Sequence, residues 1–357
     1  MANRQEQFSG TREIRDAHQF DVGQLEEYML SHVEGFHGPL SVRQFKGGQS
    51  NPTYLVESSS GKYVMRRKPP GKLLKSAHAV DREFRVISAL YAADFPVPRP
   101  YVLCKDEDVV GTMFFVMEFI EGRIFWELDL PGLDAQQRTE IYDNVGKTIA
   151  QLHSFDHEKI GLGDYGKPGN YFTRQISRWS KQYYASETGK VEAMDKVIEW
   201  LPEHIPDDES VSVVHGDFRL DNLVIHPTEP RVLAVLDWEL STIGHPLGDF
   251  TYHLMAWQTP EIGIGSSGLL GKDLEALGIP SEDEYVAADC ERTGRPDGIP
   301  NRDFYSAYNF FRIAAILQGI AGRVRDGTAA SAHAKRAAKA VAPLADMAWS
   351  YARKAGA

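Results

Sequence analysis

The chain has 357 residues, and its 39 lysines and arginines against 50 aspartates and glutamates give a formal net charge of −11. With 42% hydrophobic and 25% charged residues, it has the composition of a soluble globular protein, which excludes an intrinsically disordered chain. The acidic balance argues against a nucleic-acid-binding protein, because neutralising phosphates takes concentrated Lys and Arg. The length indicates about two domains, or one large two-lobed unit.

Cysteines and apolar runs restrict the compartment. The two cysteines, Cys104 and Cys290, have a spacing that fits neither a disulfide framework nor a cysteine zinc site. The N-terminal MANRQEQFSG has no apolar core, so we expect no signal peptide of the usual kind. The longest apolar runs, such as Met113–Met117, are far below the ~20 residues that a membrane-spanning helix needs. We therefore expect a cytoplasmic protein that does not enter a membrane.

The first third of the chain is rich in strand signals. Residues 41–67 contain three β-prone runs separated by Gly, Ser, Asn and Pro, a pattern that predicts a β-meander. A helix is predicted over 79–92, where apolar residues recur at helical spacing until a proline-rich segment ends it. Two further strands are predicted over 101–105 and 112–119.

From residue 120 onward the pattern is mostly helical. Asp134 is a plausible N-cap for a helix that runs to residue 153. Further helices are predicted near 170–185, 190–200, 303–323 and 331–354, and short strands at 211–214, 222–226 and 232–236. This order predicts an α+β fold with two lobes. A β-rich N-terminal lobe with one main helix would cover 1–119, and a mostly helical C-terminal lobe would cover 120–357.

One stretch carries most of the chemical information. Residues 214–223 read VHGDFRLDNL, and LDWE follows at 236–239. Phosphoryl transfer needs a carboxylate that orients the attacking hydroxyl and accepts its proton, and an Asn and an Asp that hold Mg²⁺ beside the nucleotide phosphates. The order H-G-D-x-x-x-x-N and then D resembles the catalytic and metal loops of the aminoglycoside phosphotransferase and choline kinase superfamily, and it parallels those of protein kinases.

This resemblance implies a bilobal, protein-kinase-like fold. It makes Asp217 the catalytic carboxylate and Asn222 and Asp237 the Mg²⁺ ligands, while His215 and Asp249 brace the catalytic loop. The alternative is that Asp217 and Asn222 are ordinary turn residues, which are common in loops.

Residues upstream of this motif are candidates for binding ATP. Kinase-like folds cover the phosphates with a glycine-rich loop and pair a basic residue of the third strand with a Glu of the following helix. Arg66 and Glu83 fit that pair, although Arg67 or Lys68 could replace Arg66. The adenine would meet the backbone of a hinge near residues 117–119. The predicted ATP-binding residues are Gly47, Gly48, Gln49, Ser50, Asn51, Arg66, Glu83, Met117, Glu118 and Phe119.

Five longer sequence segments point to a more specific family. From about Phe45 to the C-terminal helices, the chain resembles the kinase-type domain fused to certain acyl-CoA dehydrogenases and its free-standing bacterial relatives. The phrases that carry it are GGQSNPTYLV, MRRKPPGKLLKSAHAVDREFRVI, IGLGDYGKPGNYFTRQISRW, HGDFRLDNLVIHP and AVLDWELSTIGHPLGDF. The resemblance implies ATP and Mg²⁺ as cofactors, a hydroxyacyl-CoA (notably a 4-hydroxyacyl-CoA) as acceptor, and a functional link to an acyl-CoA dehydrogenase.

The acceptor site has a less specific signal. Asn170, Tyr171, Arg174 and Arg178 are predicted to line it, because basic side chains there would suit the phosphates of CoA, although they could equally form a solvated helix face. Arg219 could contact a substrate anion or pair with a neighbouring carboxylate.

Two other functional classes stay open. A pseudokinase that binds nucleotide or a partner protein is suggested by Arg66 in place of the usual Lys, although the chain keeps the catalytic Asp and both metal ligands. A metal-dependent hydrolase would need converging ligands, and its candidates are His215, Asp217, Asp237, His245, Asp249 and His253. Two G-x-G-x-x-G matches, at 161–166 and 263–268, lack the strand before and helix after that dinucleotide binding requires. We interpret them as flexible loops that could act as lids.

Overall fold

The computed structural model describes residues 10–46, 51–71, 78–260, 268–327 and 332–357. Gly47, Gly48, Gln49 and Ser50 of the predicted phosphate loop lie outside these ranges, as does most of the glycine-rich match at 263–268. The described residues form two compact units. The first unit draws on Met1–Trp126, Glu158–Tyr165 and Arg219–Ser241, and the second on Glu127–His157, Gly166–Phe218 and Thr242–Ala357. The lobe boundary placed at 119/120 stays a prediction.

An antiparallel six-stranded sheet is the main element of the first unit, with the strand order β1-β2-β3-β4-β6-β5. Its strands are β1 (Thr11–Arg12), β2 (Ser41–Phe45), β3 (Thr53–Ser58), β4 (Gly61–Arg67), β5 (Pro100–Cys104) and β6 (Phe114–Glu118). Gly61 closes the β3–β4 hairpin with a φ of 140°, which glycine adopts readily. The last five residues of β4 are buried, as expected of a central strand, and they include Arg66.

Two helices complete the core of the first unit. Helix α1 (Val22–His32) begins at Asp21, whose side chain accepts a hydrogen bond from the Gln24 amide and so caps the helix. Helix α2 (Val80–Ala92) buries a stripe at helical spacing that consists of Val80, Glu83, Val86, Ile87 and Leu90. Glu83 lies within this apolar stripe, so α2 carries a carboxylate into the interior. The short helix α3 (Glu107–Val110) and the β8 (Leu223–Ile225) and β9 (Val232–Val235) hairpin also belong to this unit.

The second unit is mostly helical. Its longer helices are α4 (Ala135–Ser154), α5 (Tyr171–Ala185), α6 (Glu192–Trp200), α7 (Pro246–Gln258), α9 (Glu282–Thr293), α10 (Arg302–Arg325), α11 (Ala332–Lys339) and α12 (Val341–Lys354), with the short α8 (Leu274–Leu277) between α7 and α9. A two-stranded pair, β7 (Ser212–Val214) with β10 (Thr242–Gly244), lies among them. The core is formed by α5, α6, α7, α10 and α12, with large aromatic side chains such as Phe172, Trp179 and Tyr308.

Most predicted elements are confirmed within a residue or two. Asp134 caps α4 in a reciprocal capping box with Gln137. The predicted helix over 331–354 is wrong as a single element, since α11 ends at Lys339 and α12 begins at Val341. The reason is Pro343, whose ring would collide with the carbonyl of Lys339 in a continuous helix but is tolerated in the first turn of a new one. Among the described residues, no helix combines the length and apolarity needed to cross a membrane.

Candidate active site

The loop that follows β7 carries Asp217 and belongs to the second unit. Gly216 has a φ of 81°, in the left-handed region that favours glycine, and this turns the chain between His215 and Asp217. The amides of His215 and Gly216 donate to the two carboxylate oxygens of Asp249, each at 2.8 Å. The amide of Asp217 donates to Nδ1 of His215 at 3.1 Å, so Nε2 carries the proton of the neutral ring. Three successive amides of the loop are therefore held by side chains.

Asp249 is the buried anchor of this loop. It lies on α7, is 3% exposed, and its Oδ2 is 3.2 Å from Nε2 of His153 on α4. Burial alone would raise the pKa of Asp249, but donation from His153 and from the loop amides holds the pKa below its ordinary value. The contacts expected of His215 and Asp249 as braces are thus present.

Sequence reasoning missed two residues that contact this loop. The hydroxyl of Tyr252, one turn after Asp249 on α7, donates to Oδ1 of Asp217 at 2.5 Å. Arg312, on α10, donates from Nη2 to the carbonyl oxygen of Gly216 at 2.5 Å. The i, i+3 spacing of Asp249 and Tyr252 was a signal that could have identified the tyrosine. No comparable pattern in the sequence points to Arg312.

Asn222 and Asp237 flank one end of a hairpin in the first unit. Asn222 directly precedes β8 and Asp237 follows β9 by two residues, while Leu223 pairs with Val235 across the hairpin. The amide of Leu236 donates to the carbonyl of Asn222 at 2.8 Å, which extends the pairing to the proposed ligands. Asp237 has a φ of 66°, a left-handed conformation that Asp and Asn tolerate better than other non-glycine residues. The antiparallel register therefore brings the two predicted metal ligands to the same hairpin end.

Arg66 pairs with carboxylates from two parts of the first unit. Its Nε lies 2.8 Å from Oε2 of Glu83, and its Nη2 lies 2.6 Å from Oδ1 of Asp237 and 3.5 Å from Oε2 of Glu239. Burial would lower the pKa of Arg66, but the three carboxylates raise it above its ordinary value. Asn51 donates to Oε1 of Glu83 at 2.9 Å. The structure thus forms the predicted Arg66–Glu83 pair.

Arg67, the other arginine of β4, is engaged elsewhere. The guanidinium of Arg67 is buried and donates to the carbonyl oxygens of Val110 and His18. The amide of Lys68 donates to the carbonyl of Met113 at 3.0 Å, which continues the β4–β6 pairing. Arg66 is therefore the residue that faces Glu83.

The charges of this cluster fit a divalent cation with oxygen ligands. Burial raises the pKa of Glu83 to about 7, but the carboxylates of Asp237 and Glu239 alone outnumber the single guanidinium, so negative charge is in excess. The side chain of Asp237 is 35% exposed and accessible. Mg²⁺ is usually held by one or two carboxylates together with substrate phosphates, rather than by a complete protein cage. In keeping with this, the described residues contain no group of three or more His, Cys, Asp or Glu side chains that could hold a metal ion on their own.

The histidines proposed for a hydrolase have other contacts. Nδ1 of His245 accepts a hydrogen bond from the Leu247 amide at 3.2 Å and so caps α7. Nε2 of His253 lies 3.0 Å from the hydroxyl of Tyr285. Each has a structural contact, so neither gives support to a hydrolase site.

The predicted hinge residues lie at the C-terminal end of strand β6 and directly after it. Met117 and Glu118 are the last residues of β6, and the amide of Glu118 donates to the carbonyl of Arg99 at 2.8 Å. The ring of Phe119 stacks on Phe45 with 6.5 Å between centroids. Contact between this segment and an adenine stays a prediction.

The predicted acceptor residues are dispersed along α5 and beyond. Asn170 and Tyr171 begin α5 and line an open cleft together with His245, residues 205–206 and residues 208–211. Arg174 donates to the carbonyls of Lys167 and Gly169, which secures the preceding turn. Arg178 is exposed and lies over the ring of Trp179, with 4.9 Å to the ring centroid. Arg219 forms an ion pair with Asp221 at 2.9 Å. Their roles toward an acceptor stay predictions.

The first glycine-rich match is anchored, so its interpretation as a flexible loop is wrong. Tyr165 is 1% exposed, and its hydroxyl forms a 2.7 Å hydrogen bond with Oγ of Ser241. Arg82 of α2 donates to the Tyr165 carbonyl at 2.7 Å, and its guanidinium lies 4.1 Å from the ring centroid. These contacts fix the segment 158–165 to the helix that carries Glu83.

Residues 41–271 match the model of the phosphotransferase enzyme family. The chain belongs to this family. A solved structure from Ralstonia eutropha, provisionally described as an aminoglycoside phosphotransferase, is 53% identical with a TM-score of 0.86, and the match covers 94% of this chain and 99% of that one. These matches confirm the family resemblance predicted from the sequence, and they confirm the predicted α+β, kinase-like fold.

More distant solved structures of the family share the fold alone. The macrolide 2'-phosphotransferase of Brachybacterium faecium is 19% identical with a TM-score of 0.58, covering 89% of this chain and 98% of that one.

Curated relatives carry a different name. The chain is 43% identical to mouse acyl-CoA dehydrogenase family member 10 over 348 residues, which cover 97% of this chain and 32% of the mouse protein. It is 42% identical to human acyl-CoA dehydrogenase family member 11 over 347 residues, covering 95% of this chain and 44% of the human protein. The chain thus spans less than half the length of these relatives.

Proposed function

We propose that this chain is an ATP- and Mg²⁺-dependent phosphotransferase whose acceptor is the hydroxyl group of a hydroxyacyl-CoA. The observation that carries the proposal is that each unit presents its own part of the motif: in the second unit, a loop with Asp217 whose amides are fixed by Asp249, and in the first unit, a hairpin end with Asn222 and with Asp237 beside Arg66. Each contains the residue types that phosphoryl transfer requires.

In the proposed reaction Asp217 orients the acceptor hydroxyl and accepts its proton. The oxygen attacks the γ-phosphorus, a new O–P bond forms, the bond from that phosphorus to the β–γ bridging oxygen breaks, and ADP leaves. Asp217 and Asn222 are five residues apart along the chain, so one short loop carries the carboxylate and the first metal ligand.

Asn222 and Asp237 are the proposed ligands of Mg²⁺, and Arg66 is the proposed contact of the nucleotide phosphates. Bound Mg²⁺ would supply neutralisation of the charge that develops on the transferring phosphoryl group. Arg66 is held by Glu83 and Asp237 with its charge intact, since the neighbouring carboxylates favour the protonated guanidinium. ATP use is supported by a family neighbour, aminoglycoside phosphotransferase APH(4)-Ia, whose structure contains AMP-PNP and hygromycin B.

The acceptor class is inferred from the relatives. Similarity to proteins named acyl-CoA dehydrogenase family members is 40% or more over nearly the whole chain. The 53% identical Ralstonia protein is described as an aminoglycoside phosphotransferase only provisionally, and a macrolide, a hygromycin and a spectinomycin kinase of known structure are 13–19% identical. A hydroxyacyl-CoA, notably a 4-hydroxyacyl-CoA, is therefore favoured over an aminoglycoside, and a functional link to an acyl-CoA dehydrogenase follows from the same names.

The test is ADP release in the presence of Mg·ATP with 4-hydroxyacyl-CoAs, 3-hydroxyacyl-CoAs, choline and kanamycin as separate acceptors. We expect the 4-hydroxyacyl-CoA to give the highest rate. Asp217→Asn should lower kcat by about 10²–10⁴-fold, the usual contribution of a general base. Asp346→Asn, at an exposed position on α12 outside the proposed site, is the control and should retain the rate.

Three results would contradict parts of this proposal. Kanamycin as the best acceptor would overturn the substrate class but leave the phosphotransferase. ATP binding with no acceptor turned over would favour a pseudokinase. Hydrolysis of one of the tested compounds that needs a transition metal but no ATP would indicate that the protein is a hydrolase.

A further inference from the structure

We propose that Tyr252 is a positioning residue that fixes the carboxylate of Asp217 in one orientation, with Arg312 holding Tyr252 and the loop together. This inference rests on the proposed function, because it assigns Asp217 the role of proton acceptor. It concerns residues of the second unit alone.

The contact between Tyr252 and Asp217 is a short, charge-assisted hydrogen bond. The Tyr252 hydroxyl lies 2.5 Å from Oδ1 of Asp217, at the short end of the range for O–H donors to carboxylates. Such bonds are roughly twice as strong as those between neutral groups and are directional. The hydrogen bond from the phenol restrains Oδ1 and so limits rotation of the carboxylate.

Tyr252 is itself held on a rigid element. It is 8% exposed on α7, three residues after Asp249, so both side chains project from one face of the helix toward the same loop. Asp249 binds the amides of His215 and Gly216, while Tyr252 binds the side chain of the next residue, Asp217. A single helix face therefore fixes both the backbone and the carboxylate.

Arg312 holds the arrangement from a second helix. Its guanidinium lies 5.2 Å from the centroid of the Tyr252 ring, within the range of a cation–π contact, and its Nη2 donates to the Gly216 carbonyl at 2.5 Å. Arg312 is 5% exposed, so both contacts are made in a desolvated setting, where they are stronger than in water. The tyrosine cannot turn away from Asp217 without giving up the contact with Arg312.

The hydrogen bond from Tyr252 is expected to keep the Asp217 carboxylate in the position that proton acceptance requires. Proton acceptance in the transition state requires the oxygen within hydrogen-bond reach of the hydroxyl, and misplacement by about 1 Å can cost 10²-fold in rate. Loss of the Tyr252 hydroxyl is therefore expected to lower kcat and to leave nucleotide binding unchanged, because its hydrogen bond is to Asp217, the proposed proton acceptor, whereas the proposed nucleotide and Mg²⁺ ligands belong to the first unit.

The test compares Tyr252→Phe with Tyr142→Phe. Tyr142 is a matched control, since its buried hydroxyl also donates one 2.5 Å hydrogen bond within the second unit, to the carbonyl of Leu128. Both variants lose one phenol hydrogen bond, so their melting temperatures should fall to a similar extent. We expect Tyr252→Phe to lower kcat by about 10-fold or more with KM for ATP unchanged, and Tyr142→Phe to retain the wild-type kcat. Equal kcat values for the two variants would overturn the proposal. So would a loss of kcat/KM in Tyr252→Phe that comes entirely from a higher KM for ATP.

A second measurement does not depend on activity. A crystal structure of Tyr252→Phe should show the Asp217 carboxylate rotated or distributed over more than one rotamer, and a single unchanged rotamer would overturn the proposal. If the wild-type protein transfers phosphate to no acceptor, the proposed function fails, and the rotamer of Asp217 in the variant still decides whether Tyr252 positions that carboxylate.

Discussion

Arg66 contacts carboxylates that are far apart in the chain, one from α2 and one from the end of the β8–β9 hairpin. The planar guanidinium spreads its charge over three nitrogens, so Nη2 can donate to Asp237 at 2.6 Å while Nε lies 2.8 Å from Glu83 as an ion pair. A lysine ammonium is a single point charge and cannot make both contacts with the same geometry. The departure from the usual lysine is therefore suited to linking α2 with the end of the β8–β9 hairpin.

The contacts of Arg66 predict that the substitution Arg66→Lys destabilises the folded protein. The side chain of Arg66 is 9% exposed, and a lysine would leave one buried carboxylate without its partner. We expect the free energy of unfolding to fall by about 1–3 kcal/mol, since unpaired buried polar groups are costly. Arg43→Lys is the control, because Arg43 pairs with Glu13 at the surface, where such pairs contribute little. Urea unfolding measures both variants, and equal losses would contradict the prediction.

The left-handed conformation of Asp237 predicts that its two obvious substitutions differ. Asp237→Asn and Asp237→Ala both remove the charge beside Arg66, and both should abolish transfer if Asp237 is a metal ligand. Asn tolerates a φ of 66°, whereas Ala does not, so Asp237→Ala should be less stable by about 1 kcal/mol. Thermal unfolding of the two variants under one buffer condition tests this, and equal stability would show that the conformation relaxes at no cost.

At the scale of elements, α7 is the helix that anchors the loop of Asp217. Its N-cap His245, its buried anchor Asp249 and its Tyr252 all lie within its first two turns. The helix is buried on nearly all sides, so its sequence lacks the polar–apolar alternation that marks amphipathic helices. This is why the sequence analysis found α2 and α4 as distinct helices but did not single out α7.

Periodicity and charge explain which site features were predictable. The Arg66–Glu83 pair could be foreseen because a glutamate on an apolar helix stripe requires a cationic partner. The contact of Arg312 with Gly216 could not, because tertiary packing of α10 creates it and no local pattern in the sequence encodes it. The same applies to Tyr165, whose glycine-rich surroundings suggested mobility while its ring is buried against Arg82.

A buried histidine on α7 predicts acid sensitivity. Burial lowers the pKa of His253 to about 4 from its ordinary value of 6.5. Below pH 6.5 His253 becomes protonated in the unfolded chain, whereas in the folded protein it stays neutral until about pH 4. The free energy of unfolding therefore falls as the pH is lowered from 6.5 to 4. The shift corresponds to about 3 kcal/mol by pH 4. Urea unfolding between pH 7.5 and 4 should show a shallower pH dependence for His253→Gln than for the wild type, and parallel curves would refute this assignment.

Tyr165 predicts a coupling between its segment and α2. Its hydroxyl bonds to Ser241, and its carbonyl accepts from Arg82, the neighbour of Glu83. Tyr165→Phe removes the hydroxyl contact, which should lower the free energy of unfolding by about 1 kcal/mol. Hydrogen exchange of the amides in 80–92 should become faster in the variant, and unchanged exchange there would argue against the coupling.

For the whole molecule, the main feature is the way the two units share the chain. The first unit takes residues 158–165 and 219–241 from within stretches that otherwise build the second. The sequence analysis assigned both segments to the C-terminal lobe, because neighbours in sequence are the natural guess for neighbours in space. The partners of Arg66 and of α2 in these segments, Asp237 and Tyr165, show what the first unit gains from them.

This sharing predicts that residues 1–126 do not form a stable fragment. Without 158–165 and 219–241, Arg66 loses Asp237 and Glu239, and α2 loses the contacts of Tyr165. Urea titration of the isolated fragment, followed by circular dichroism, should lack the cooperative transition of the full chain. A cooperative transition of comparable midpoint would contradict the prediction.

The sharing of the chain also limits how a gene for such a protein can be recombined. A crossover that falls between the codons of Arg66 and Asp237 gives a hybrid in which an arginine from one parent must fit a hairpin from the other. Exchange of α2 alone separates Arg82 from Tyr165 in the same way. Viable chimeras between this chain and its relatives should therefore have their junctions outside the stretch from β4 to Ser241, so that this stretch is inherited from one parent as a single block.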